Sequence, residues 1–244
     1  ARNFSRQFGQ GDLTIDFITG LHSKIASPVD GQIAGKIRNV PIRGGDYNNP
    51  KEPVTYTDEE IESIKQNPYL MFQEAGDKNT GFIHYPFSKE GEDPQSHIQN
   101  LLQEVCDWYN GEKAKPGADP YKLAALLQRK MISIHPFYDA NGTTSRVLMN
   151  WALETNGVAP SALDNPSNDV LTDENSWVDA VKKGSSKYTE SQKRIHALES
   201  AGIEDVAYTL GLSPEKAFYD YIFRHIGKPP AFFSKNGMQD HQTF

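Results

Sequence analysis

Two apolar runs, residues 123–134 and 147–153, flank a short stretch that neither can absorb as helix. The stretch contains His135, Pro136, Phe137, Asp139, Asn141, Gly142 and Arg146 within twelve residues. An Asn-Gly pair tolerates backbone angles that a helix interior does not. The reading is therefore helix, tight loop, helix. The second helix should begin near Gly142, with Thr143, Thr144 and Ser145 in its first turn. The first is apolar nearly all round over residues 123–127, which marks it as the buried central helix. Pro120 suits its opening position.

This layout has chemical consequences. A helix N-terminus presents unpaired N–H groups and a partial positive charge, which suits a phosphate. Asn141 and Gly142 lie where amide donors can cradle it, and Arg146, one turn on, can clamp a second phosphate. Asp139 is placed to share a magnesium ion with those phosphates. His135 can take a proton from an attacking hydroxyl. Base, carboxylate, anion cradle and arginine together are the parts of phosphoryl or nucleotidyl transfer. Each dipeptide alone is ordinary turn punctuation; only the joint pattern is specific.

The joint pattern resembles the Fic family motif, His-Pro-Phe-x-Asp/Glu-Gly/Ala-Asn-Gly-Arg-x-x-Arg. His135, Pro136, Phe137, Asp139, Ala140, Asn141, Gly142 and Arg146 match it, whereas Thr143 stands where the family has its first arginine. Residues 123–126 and 146–150 also resemble the family's two central helices. The resemblance implies an all-α fold with a small β-hairpin flap. It implies transfer of a phosphate-containing group, most often AMP from ATP, to a hydroxyl of a target protein. His135 would be the base, Asp139 the magnesium ligand, and Asn141 and Gly142 the anion hole, with Thr143, Thr144 and Arg146 completing the donor phosphate site. Pro136 and Phe137 would be structural, Phe137 pinning the loop to the core.

Ile37, Arg38, Asn39, Val40, Ile42 and Arg43 resemble the family's flap, which holds a target peptide by strand addition. Ile37, Val40 and Ile42 suggest an extended segment, and Pro41 confines it to a sheet edge. An ordinary edge strand is the plainer reading. Lys36, Arg38 and Arg43 give the stretch a positive cast that suits an acidic target or the donor phosphates.

The whole chain reads as one Fic-like domain, with residues 45–93 an insertion in the flap loop and 157–244 a C-terminal helical extension. Apolar spacing predicts a helix over 12–25, carrying a packed His22, and another over 95–109. Within the insertion, Thr57 and Glu60 form a capping box for a helix that stops at Asn67-Pro68, and residues 82–87 look extended. Residues 175–183 and 188–200 read as two helices. Residues 203–226 resemble a helix-turn-helix without basic excess, so a packing hairpin is favoured over DNA binding. A loose tail is expected over 227–244.

Net charge −7 argues against non-specific binding to nucleic acid or anionic membrane. No apolar stretch approaches the roughly 18 residues of a membrane span. Cys106 is the only cysteine, which excludes an internal disulfide and favours a reducing compartment. It falls in an apolar helical pattern that suggests a core position.

Many Fic enzymes are restrained by a Ser/Thr-x-x-x-Glu-Gly/Asn helix. Here Glu90 and Glu174 precede Gly or Asn, but Pro86 and Val170 stand four residues earlier, so neither fits. The resemblance then implies constitutive activity or control by a separate partner, in the cytoplasm or in a host cytosol entered as a bacterial effector. Thr143 leaves three readings open. The donor could be a CDP-alcohol such as CDP-choline or another nucleoside triphosphate; Arg38 or Arg43 could replace the missing charge; or the domain could be a weak binding module.

Overall fold

The computed structural model describes residues 11–45, 49–88 and 91–200. Six helices carry most of it: α1 (Ile15–Ala26), α2 (Asp58–Gln66), α3 (Pro94–Lys113), α4 (Pro120–Ile134), α5 (Asn141–Thr155) and α6 (Glu174–Ser200). Each start has a local cause. Thr14 Oγ1 accepts from the Phe17 N–H of α1 at 3.1 Å. Asp93 caps α3, and Asp119 caps α4 ahead of Pro120. At α2 the Thr57–Glu60 capping box closes in both directions, as its sequence predicts.

α4 is the centre. It packs against α5, α3 and α6, while α1 closes on α5 and α3. Leu123, Ala124, Leu127, Met131 and Ile134 are buried along it, and so are Gln128, Arg129 and Ser133. Phe17, Leu102, Tyr109, Cys106, Leu148, Trp151 and Trp177 complete one core. The motif thus leaves the molecule's most buried helix and enters another packed directly beside it.

The fold is mostly helical, but the expected all-α class needs correction. Four antiparallel strands form a sheet: β1 (Arg43–Gly44), β2 (Val54–Thr55), β3 (Met71–Glu74) and β4 (Thr80–His84). β4 is central. β3 covers one edge, while β1 and β2 share the other, at the His84 and Thr80 ends. The β3–β4 turn uses Gly76 (φ 102) and Asn79 (φ 63), two residue types that accept left-handed angles. Ile61, Ile64 and Ile83 form a second small core between α2 and this sheet. Residues 37–42 are not a strand of it: Ile37 makes one antiparallel bridge, to Phe137.

The two helices expected over 175–183 and 188–200 are one. Gly184, in the gap expected between them, serves close packing. A Cβ there would lie 2.2 Å from Ser161 Oγ and 2.9 Å from Ala162 O. The Ala162 N–H donates to Gly184 O, and Ser185 Oγ donates to Ala159 O. The expected helix-turn-helix and tail lie outside the described residues.

Candidate active site

His135 ends α4. Its N–H bonds Met131 O, and its backbone turns left-handed (φ 51, ψ 57). That conformation costs a residue with a Cβ on the order of 1 kcal/mol or more, so the surroundings must hold it. Arg38 does much of the holding. Its Nε donates to His135 O at 2.6 Å, Nη1 to Val40 O at 2.8 Å, and Nη2 to Ile134 O at 3.2 Å and to Pro86 O. Arg38 is fully buried. Burial lowers its pKa to about 10, so it stays charged at neutral pH. The expectation that Arg38 meets a target or replaces a phosphate contact is therefore corrected: its donors are spent on carbonyls.

The His135 ring is fixed on one edge and one face. Nδ1 lies 3.2 Å from Ile132 O. A carbonyl only accepts, so Nδ1 carries the proton and Nε2 keeps a free lone pair. Tyr85 stacks on the ring, with centroids 4.1 Å apart. Burial is the main cause that lowers the imidazole pKa, to about 4; Arg38 adds to this, while the Ile132 bond and Asp139 oppose it. His135 is neutral at pH 7.

The inner half of the loop is packed. Phe137 is fully buried and stacks on His22 at 3.8 Å, nearly parallel. His22 Nδ1 accepts from the Gly35 N–H, and its Nε2 donates to Asp139 O. Both nitrogens are used, which makes His22 structural. The Asn141 carboxamide clasps Phe137, accepting from its N–H and donating to its C=O, each at 2.9 Å. The side chain expected to cradle a phosphate thus faces inward, leaving only the Asn141 backbone N–H for an anion. Pro136, also buried, accepts the Arg38 N–H.

The outer half is open. α5 starts after Ala140 (φ 56), with no side-chain cap. Asn141, Gly142 and Thr143 supply its first N–H groups, while the N–H of Thr144 already bonds Ala140 O. Thr144 is buried with its hydroxyl turned inward and unpartnered, which corrects its expected place in the donor site. Thr143 is half-exposed. Arg146 folds back over Gly142: a Cβ on Gly142 would lie 3.1 Å from Arg146 Nη1. Burial lowers the pKa of Arg146, and the charge of Asp169, whose carboxylate accepts from Gln128 Nε2 at 2.7 Å, partly opposes this. Burial in turn pushes the Asp169 carboxyl up.

Asp139 stands exposed at the tip, with one oxygen on the Ala140 N–H at 2.6 Å. No cluster of three metal-ligating side chains occurs among the described residues. One carboxylate cannot cage a cation, but it fits magnesium that takes its other ligands from phosphate and water.

The six flap residues divide. Ile37 is buried on Phe137. Asn39 exchanges hydrogen bonds with the Tyr138 hydroxyl. Ile42 accepts the Tyr85 N–H. Val40 is exposed, and Arg43 lies over the Phe82 ring at 3.9 Å. Beside them a cavity of about 500 Å³ opens between α1, Gly35, Lys36, Ile37, Asn39, Gln95, Gln99 and Tyr138. Sequence reasoning missed Tyr85, Gln128 and Asp169. Tyr85 sat within a visible aromatic cluster, but Asp169 had no signal in its polar loop.

Known proteins resemble parts of this chain. The Protein adenylyltransferase fic-1 of Caenorhabditis elegans is 34% identical over 67 residues, 28% of this chain and 13% of that protein. The Protein adenylyltransferase Fic of Drosophila willistoni is 45% identical over 60 residues, 25% of this chain and 12% of that one. The Uridine 5'-monophosphate transferase of Xanthomonas campestris is 48% identical over 72 residues, 28% of this chain and 13% of that one. The matched stretch is thus a small part of each relative. The solved structure of C. elegans Fic-1, residues 134–508, has the same fold at TM-score 0.50 and 20% identity, covering 82% of this chain and 51% of that one. Residues 12–153, more than half of the chain, match the Fic/DOC family, and the chain belongs to that family.

Proposed function

We propose that the chain transfers a nucleotide, most simply AMP from ATP, to a hydroxyl of a target protein. The observation that carries this reading is the pairing of a neutral His135, its Nε2 free, with an uncapped α5 N-terminus overlaid by the Arg146 guanidinium. Nε2 takes the proton of the target hydroxyl as its oxygen forms the bond to the donor's α-phosphorus; the bond to the leaving pyrophosphate breaks. Backbone N–H groups of Asn141, Gly142 and Thr143 bind the phosphate oxygens, and Arg146 stabilises the distal charge. Asp139 would hold magnesium, which neutralises phosphate charge when bound. The names of the worm and fly relatives favour AMP.

A second donor has its own support. Thr143 supplies no charge where the family has an arginine, and the Xanthomonas relative is named for UMP transfer. UTP, CTP and CDP-choline therefore stand beside ATP. The test is incubation with each donor, magnesium and candidate target proteins, read by intact mass. An added AMP mass from ATP supports the first reading. A uridylyl or phosphocholine mass in its place overturns AMP, and no added mass with any donor favours a binding module.

A further inference from the structure

We propose that Tyr85 is a positioning residue for His135, holding the imidazole so that Nε2 faces the reacting hydroxyl. The inference rests on reading His135 as the base. Tyr85 follows β4, in the segment between flap and α3, far in sequence from the motif. Its ring covers one face of His135 at a centroid separation of 4.1 Å and 28°. The other restraint on the ring is the edge contact with Ile132 O. A hydrogen bond on one edge leaves the imidazole able to swing about that contact; a stacked face removes this freedom.

Tyr85 is itself held. Its N–H donates to Ile42 O, its ring packs on the Ile61, Ile64 and Ile83 cluster, and Arg38 bonds the carbonyl of the next residue, Pro86. Burial also pushes its phenol well up, so the ring faces His135 as a neutral group. The other ionisable groups acting on His135 are Arg38, bonded to its carbonyl, and Asp139, across the loop. Neither covers a ring face. Tyr85 is thus the group that excludes water from His135 on that side, and the segment carrying it tunes the base.

The test uses the full chain with Tyr85→Phe, Tyr85→Leu and Tyr85→Met. Imidazole titrations are followed by NMR on ¹³C-histidine protein, with the His135 signal assigned by its loss in His135→Ala. Transfer is followed as kcat and KM for the donor. Phe should preserve both the titration and kcat. Leu or Met, whichever remains folded by circular dichroism, should move the His135 midpoint toward the unperturbed value of about 6.5. It should also lower kcat roughly tenfold or more with little change in KM, as expected when a general base loses orientation. An unmoved titration with unchanged kcat overturns the proposal. Phe as damaging as Leu overturns it too, by placing the role in the hydroxyl. Should no variant or wild type transfer any group, the function reading fails alone, and the titration still decides whether Tyr85 governs His135.

Discussion

The loop between α4 and α5 contains two histidine–aromatic stacks with opposite consequences. In its inner half, His22 from α1 lies on Phe137, and every polar atom of the imidazole is engaged by backbone. In its outer half, His135 lies under Tyr85, with one nitrogen tied and the other left free. The contact is similar; the count of satisfied nitrogens differs. A histidine with both nitrogens bonded in a core is a joint, whereas a half-buried one with a single free nitrogen keeps an atom available for chemistry. The same division runs along the loop: Asn141 and Phe137 build it, while Asp139, Gly142 and Arg146 face outward or line the opening.

The largest effect that would test this division is His135→Ala. Transfer should fall by about 10²–10⁴-fold or below detection, the range for a general base. Thermal stability and donor binding should stay near wild type, and equal turnover in the two proteins would end the base assignment. The counterpart is Phe137→Ala, which should cost about 3–5 kcal/mol of stability, measured by denaturant unfolding. If it leaves stability intact while activity vanishes, the inner half is not the joint described.

Thr143→Arg is next. If the donor is a nucleoside triphosphate, a restored charge-assisted contact should tighten its binding by about 1.5–3 kcal/mol, measured by calorimetry. Unchanged ATP affinity with slower reaction of CDP-choline would favour the alternative donor. The smallest effect is on pH. The His135 pKa lies below that of the unfolded chain, so its neutral form contributes stability above about pH 6.5 that is lost as pH falls toward 4. His22, lowered by burial, acts in the same direction. Asp169, raised by burial, acts oppositely, so the readout must be a difference. His135→Gln should lose less stability than wild type between pH 7 and 4.5. Parallel curves would show that burial does not penalise the imidazolium.

Much of this was legible in residue spacing. The central helices, the loop and its outward groups follow from apolar periodicity and the His-to-Arg pattern, because those are local signals. The inner half was not legible. Arg38 reads as surface charge, since nothing local foretells that four carbonyls converge on it. Asn141 and Thr144 read as donor ligands, yet the helix rotation turns both inward. The single α6 reads as two helices because sequence does not reveal that the backbone of residues 159–162 passes against it at Gly184.

The carbonyls around Arg38 also bear on synthesis. Arg38 leaves the ribosome 97 residues before His135, one of its acceptors. Until then a guanidinium destined for full burial has no means of entering the interior, because unpaired charge is costly there. A nascent chain is built from its N-terminus, so α1 and the sheet segments are exposed early, whereas the motif loop closes only after α4 has emerged. The site loop is thus completed only once α4 and the start of α5 are both available to fold.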